Sequence, residues 1–329
     1  MTAPRRPGAA DPPASLPADP ATGREGDLTP GAATGTPRAG SGTGPPAAGA
    51  ATGSSGAGAA TGREGDLAAE TVVHRASKTR GEAARGPTWL KACLNGARRP
   101  GEHPAVPLTP LELAEAARGA RGAGADAVHI HPRDEAGSES LSAVHIGAAV
   151  RAVREACPGL PVGVSTGLWI TGRDVDARRE AVRGWAALSP GELPDFASVN
   201  LSEPGFEALW HDLRRLGVGV EAGVWSVEDA DALAATGLEC ARVLVEIIGG
   251  PAGTALSRAR AVLDRLAELG VPGPRLLHGE GDPAWILLDE AGQSGLATRI
   301  GLEDVLHSPV GDPVGGNAEL VRLARARLA

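Results

Sequence analysis

Two histidines two residues apart, His129 and His131, sit in the run Ala127-Val128-His129-Ile130-His131-Pro132-Arg133-Asp134. The apolar start of this run reads as a buried strand. Side chains two apart on a strand share a face, so both imidazoles point the same way. Two imidazoles and one carboxylate, with a coordination position left open, suit a catalytic Zn2+. The plainer reading of an H-x-H is a pair of rings satisfied by ordinary hydrogen bonds. The remainder of the chain decides between the two.

Other polar residues fall where strands are expected to end. Asn95, Gly96 and Arg98 follow a first apolar run, and Ser165-Thr166-Gly167 follow a third. Asn200 and Ser202 follow a fourth. Glu221, Glu246, His278 with Glu280, and Arg299 with Glu303 and Asp304 mark the next four in turn. A Schiff-base enzyme needs a lysine in the middle of such a set. The chain has two lysines, Lys78 and Lys91, and Lys91 lies too early in its strand. Electrophilic chemistry by a metal is what remains.

The elements that must position these groups alternate. Strands are expected at Trp89 to Leu94, Ala127 to His131, Pro161 to Ser165, Phe196 to Asn200, Gly219 to Val224, Ala241 to Ile248, Arg275 to His278 and Thr298 to Gly301. Helical stripes lie between them: Leu111, Leu113, Ala114, Ala117 and Ala120; Val144, Ala148, Val150, Val153 and Ala156; Leu256, Ala259, Val262, Leu263, Leu266 and Leu269. Thr109-Pro110 with Glu112 spells a capping box. Asn317 is expected to cap the last helix, and Gly217 and Gly270 to follow helix ends. Eight strand-helix units in about 240 residues predict an α/β fold, a (β/α)8 TIM barrel, whose active site lies at the C-terminal ends of the strands. A doubly wound sheet is the alternative. It would show a glycine-rich phosphate loop after its first strand, and Asn95-Gly96-Ala97-Arg98 is not one.

Residues 1–86 differ in texture. They are rich in Ala, Gly, Pro, Thr and Ser, and the octet Ala21 to Leu28 recurs as Ala60 to Leu67. Such a segment cannot bury enough apolar surface to offset chain entropy, so it is expected to be a disordered low-complexity tail before a catalytic domain at 87–329. The whole chain, 329 residues with a formal charge of -8, is too acidic for general nucleic-acid binding. No apolar run approaches a membrane span, and the N-terminus lacks the apolar core of a secretory signal. Three scattered cysteines, Cys93, Cys157 and Cys240, form no metal or redox motif and fit a reducing, cytoplasmic setting.

The motifs Leu94-Asn95-Gly96-Ala97, His129 to Asp134, Gly163-Val164-Ser165-Thr166-Gly167, Ser198-Val199-Asn200 and Arg299-Ile300-Gly301-Leu302-Glu303-Asp304 resemble, in this order, the β-keto acid cleavage enzymes. The resemblance runs from about Lys91 to the C-terminus, and Asn317 to Val321 resembles the family's closing helix. It implies a (β/α)8 barrel with one Zn2+ held by His129, His131 and Glu303. It implies that a β-keto acid and acetyl-CoA are converted to a CoA thioester and acetoacetate, with Arg299 and Asp304 as the charged pair that promotes carbon deprotonation. Ser165 and Thr166 would hold the substrate, Asn200 would line its pocket, and the family's habit is a homo-oligomer, usually a tetramer.

Two positions depart from the pattern. Arg98 stands where a family glutamate is found, so it either meets a different distal substrate group or is a surface arginine. Gly223 stands where another glutamate is found on the fifth strand. Glu221, two residues earlier, can face the same side, and is expected to replace it as an acid/base. Arg299 is expected to keep Asp304 ionised, because a cation lowers a carboxyl pKa. Glu246 should meet an arginine or the pocket; His278 and Glu280 line the mouth or stand behind it; Trp169, Trp225 and Trp285 wall the pocket or pack in the core. A zinc-dependent hydrolase or aldolase on the same barrel is the alternative activity, and a metal-binding protein without catalysis is a third reading.

Overall fold

The computed structural model describes residues 88–329. The expected disordered tail, residues 1–86, and its octet repeat lie outside the described residues. Eight parallel strands run in the order β7-β6-β5-β4-β3-β2-β1-β8. They are β1 (Leu90–Cys93), β2 (Ala127–Ile130), β3 (Val162–Ser165), β4 (Phe196–Asn200), β5 (Gly219–Val224), β6 (Arg242–Ile248), β7 (Arg275–Glu280) and β8 (Thr298–Ile300). A parallel bridge between Leu276 and Ala297 brings β7 to β8 and closes the barrel. Each strand is followed by a helix: α1 (Pro110–Gly122), α2 (Ala143–Ala156), α3 (Val175–Arg183), α4 (Phe206–Arg215), α5 (Val227–Thr236), α6 (Ala252–Glu268), α7 (Pro283–Ser294) and α8 (Asn317–Leu328). No described helix is long and apolar enough to cross a membrane.

The period-2 pattern of the strands sorts their side chains into two sets. One set faces the helices and joins the apolar core: Ala92, Val128, Ile130, Val162, Val164, Ala197, Val199, Val220, Ala222, Val224, Val243, Val245 and Ile247. The alternate set faces the barrel axis and carries the polar groups: Lys91, His129, Ser165, Ser198, Asn200, Glu221, Glu246, His278 and Arg299 are all buried or nearly so. Burying small aliphatics on one face and charge on the other is affordable only if the charges meet one another. At the barrel floor they do. Lys91 Nζ lies 2.5 Å from Glu221 Oε2, and Arg242 Nη1 lies 2.6 Å from Glu221 Oε1. The Phe196 ring fills the rest of this level, with Lys91 Nζ 5.4 Å from its centroid. Gly163 makes room for that ring, since a Cβ there would sit 1.9 Å from Phe196 Cε2.

The helix boundaries follow their chemistry. Thr109 and Glu112 form the capping box at α1, and Pro110 occupies its first turn. Gly217 and Gly270 take positive φ after α4 and α6. Three expectations need correction. Leu111 and Val144 are 69% and 72% exposed. Each lies in the first turn of its helix, and α2 buries Ile146, Ala149, Val150 and Val153 instead. Asn317 is not a cap either. Gly316 precedes α8 without a side-chain cap, while Asn317 Nδ2 donates to Leu94 O at 2.8 Å and its Oδ1 accepts from Leu302 N at 2.9 Å. Asn317 thus ties the first strand's end to the loop after β8.

Candidate metal centre and active site

His129 is the penultimate residue of β2, on its axial face, and His131 follows it by one strand repeat. Their Nε2 atoms stand 3.2 Å apart. Glu303, in the loop after β8, brings Oε2 to 3.6 Å from His131 Nε2. The three ligand atoms lie within 4.8 Å of one another. Tetrahedral Zn2+ with ligands at 2.0–2.1 Å separates neighbouring ligand atoms by about 3.3 Å, so the spacing fits such an ion. Glu303 Oε2 is buried and accepts no hydrogen bond among the described residues. Burial, together with the charges of His131 and Lys91, holds the His129 pKa well below its ordinary value, the neutral state a metal ligand needs.

The surrounding backbone is clamped to hold this geometry. Asn95 accepts from His131 N at 2.9 Å through Oδ1, and donates through Nδ2 to His131 O at 2.9 Å and Pro107 O at 3.1 Å. Arg98 Nε donates to Leu302 O and its Nη2 to Glu303 O, both at 3.0 Å, which fixes the loop that carries Glu303. Gly96 (φ +54°) is needed beneath that carboxylate: a Cβ there would be 2.4 Å from Glu303 Cγ. Arg98 is therefore no loose surface arginine. It lines the cavity while donating twice to the loop and once to Glu102.

A cavity of about 370 Å³ opens above the three ligands. Arg98, Ser165, Asn200, Glu246, Glu280 and Arg299 line it, as do Trp169 and Trp225. Trp285 does not; its Nε1 donates to His307 O at 2.9 Å. Arg299 Nη2 lies 2.7 Å from Asp304 Oδ1 and 3.0 Å from Glu303 Oε1, so one guanidinium joins the ligand cluster to the neighbouring acid. Asp304 is fully buried beneath this pair. Its pKa is raised, because burial outweighs the Arg299 charge. The expectation that the Arg299 cation would lower the Asp304 pKa is thus corrected in sign: desolvation outweighs the cation.

Three sequence-derived site residues do not line the cavity: Thr166, Glu221 and the fully buried Asp304. Thr166 turns its hydroxyl to Ser198 O at 2.5 Å, and only Ser165 of that pair lines the cavity. Glu221 faces the axis as expected but one strand repeat deeper than Gly223, about 7 Å along the strand. There Lys91 and Arg242 hold it: burial raises its carboxyl, and the two cations outweigh that and lower it. The level of Gly223 belongs instead to Asn200 Oδ1 and Glu246 Oε1, each 2.7 Å from where a Cβ would be. Burial alone would push the Glu246 carboxyl up. The His278 hydrogen bond at 2.8 Å and the Arg299 charge bring it down to about 2. The sequence left Glu246 and His278 open, and the structure makes them one buried pair beside Arg299.

The β-keto acid cleavage enzyme model matches residues 87–329. The chain belongs to the β-keto acid cleavage enzyme family. Among solved structures it is similar to ObcA. The apo form has a TM-score of 0.55 and 20% identity over 68% of this chain and 61% of that one. A binary complex with oxaloacetate matches at 19% identity, TM-score 0.55, over 68% and 63% of the two chains. A ternary complex with a C4-CoA adduct and oxalate matches at 21%, TM-score 0.55, over 68% and 64%. The chain thus spans under two thirds of the length of these structures, and at this identity the likeness establishes the fold. No curated protein matches the chain.

In this family member two acidic residues went unnoticed in the sequence. Glu139 lies against His131 Nδ1 at 2.5 Å. Glu203 accepts from Asn200 Nδ2 at 3.0 Å and from Leu168 N, and is paired with the buried Arg178. Glu203 thereby turns the Asn200 carbonyl oxygen toward the cavity. Neither glutamate belongs to a motif; both sit in loops, where acidic residues are common.

Proposed function

We propose that this protein is a zinc-dependent β-keto acid cleavage enzyme that converts a β-keto acid and acetyl-CoA into a CoA thioester and acetoacetate. The observation that carries the reading is the convergence of His129, His131 and Glu303 beside the Arg299–Asp304 pair, at the end of the barrel where such folds do chemistry. Zn2+ bound there supplies a Lewis acid that polarises a carbonyl. The ObcA complexes with oxaloacetate, itself a β-keto acid, and with a CoA adduct support the two substrate classes.

The chain's own residues supply the rest. Asp304 is the base for the substrate's α-carbon. A carboxylate kept out of water binds a proton more tightly than one in solvent, which makes it the stronger base. Arg299 orients it and balances its charge against Glu303. Ser165 offers a hydroxyl and Asn200 an amide oxygen to the bound keto acid. Trp169 and Trp225 shield one side from water. A Schiff-base aldolase would find no free lysine amine among the described residues, because Lys91, the one lysine there, is paired with Glu221 at the barrel floor. Assembly as a homo-oligomer and a cytoplasmic setting belong to the same reading and rest on family habit and on the three free thiols.

The test is a panel of β-keto acids with acetyl-CoA and zinc-loaded protein, following acetoacetate release. Turnover of at least one member, dependent on acetyl-CoA, is expected. Zinc-loaded protein that consumes none of them would remove the activity and leave the fold.

A further inference from the structure

The histidine motif does not end at His131. Arg133 and Asp134 follow, and neither touches the ligand cluster. Their work is to build a turn. Asp134 Oδ1 accepts from Ala136 N and Ser138 N, both at 2.9 Å. Arg133 Nη1 donates to Gly137 O at 2.8 Å and Nη2 to Gly96 O at 2.9 Å. The turn reverses the chain, so that Glu139 pairs with Arg133 in an antiparallel bridge and Ser140 N donates to Pro132 O at 2.8 Å.

This returns the Glu139 carboxylate to the far side of the His131 ring, opposite the Nε2 that faces His129 and Glu303. Glu139 Oε1 lies 2.5 Å from His131 Nδ1, and Glu139 Oε2 accepts from Trp169 Nε1 at 3.0 Å. The Trp169 ring stacks near His131, with centroids 6.5 Å apart and planes at 24°. Gly167 seats that indole: a Cβ there would lie 2.2 Å from Trp169 Cη2. His129 has no such support, since its Nδ1 is buried without a hydrogen-bond partner among the described residues.

We infer that Glu139 is a positioning residue for the metal, acting through His131, with Trp169 and Gly167 holding its carboxylate in place. By accepting from Nδ1–H it fixes the tautomer that turns an Nε2 lone pair toward the ligand cluster, and it holds the ring in that orientation. The inference rests on the reading that His129, His131 and Glu303 bind zinc. It assigns a role to the second half of the motif: Arg133 and Asp134 deliver the outer carboxylate.

Zinc affinity, measured on the full chain by competition with a chromophoric chelator, tests this without reference to turnover. Glu139→Ala is expected to weaken zinc binding by about 10–100-fold. Glu139→Gln keeps an acceptor and should lose less, and Trp169→Phe, which removes one hydrogen bond to the carboxylate, less again. The metal-free forms of Glu139→Gln and Trp169→Phe should unfold at the parent's midpoint. Parent-like zinc affinity in Glu139→Ala overturns the inference, as does a Glu139→Gln variant that loses metal-free stability but no affinity. If Glu139→Ala fails to fold, Glu139→Gln decides: unchanged affinity there overturns the inference, and a loss supports it. A parent chain that binds no zinc sinks the proposed function itself, which separates the two failures.

Discussion

Glu303 Oε2 and His131 Nε2 lie 3.6 Å apart, and the carboxylate oxygen is buried without a donor among the described residues. An acceptor buried in that state costs about 1–3 kcal/mol unless something satisfies it. A divalent cation between the two atoms does so. The protein is therefore expected to purify with, or take up, one Zn2+ per chain. Metal present at a thousandfold excess over its Kd adds about 4 kcal/mol to stability, so chelation should lower the unfolding midpoint. His131→Ala should lose both the ion and that increment. Elemental analysis and thermal unfolding with and without chelator check it, and an unfolding midpoint indifferent to zinc would argue for plain hydrogen-bonded histidines.

Asp304→Asn preserves shape and removes the carboxylate proposed as the base. Turnover is expected to fall by about 10²–10⁴-fold, the usual worth of a positioned acid or base. Zinc content should stay at the parent's level, because Asp304 is not among the three converging ligands. Rates and metal content measured on one preparation separate this from a collapse of the metal centre.

Much of this was readable from residue order. The eight strands emerged because their outward faces repeat small aliphatics at period 2, and the polar residues of the axial face fell at the strand ends by the same rule. His129, His131, Glu303, Arg299 and Asp304 were legible through spacing and family resemblance. What escaped was depth and balance. Glu221 and Gly223 share a face, and no sequence rule says which level of the barrel a face position reaches; Lys91 and Arg242 settle it, and both are distant in the chain. For Asp304 the sign of the shift depends on how far burial outweighs one cation, which spacing does not reveal. Glu139 was hidden because its pairing with His131 depends on the turn between them.

Glu221→Gln provides the complementary test. Removing one charge from a buried pair costs about 3–5 kcal/mol because the partners stay behind unpaired. The variant should lose stability by that order and keep parent-level zinc affinity, since Glu221 lies below the cavity. Chemical denaturation together with the chelator competition measures both. A variant of parent stability that has lost turnover would instead return Glu221 to the chemistry.

Glu280 sets a pH dependence of its own. Burial, reinforced by the charges of Asp304 and Glu303, raises its carboxyl from 4.5 to about 7. A carboxyl raised in the folded state holds its proton more tightly there than in the unfolded chain. Its contribution is therefore full below pH 4.5 and declines as the pH rises toward about 7, where the folded group finally ionises. Metal-free parent protein should thus lose stability relative to Glu280→Gln across that window, with the difference level above it. Unfolding midpoints of the two proteins at matched ionic strength, taken at intervals from pH 4.5 to 8, give the curve. Parallel curves would mean that the Glu280 carboxyl is solvated in the folded protein, and that its place on the cavity wall carries no electrostatic strain.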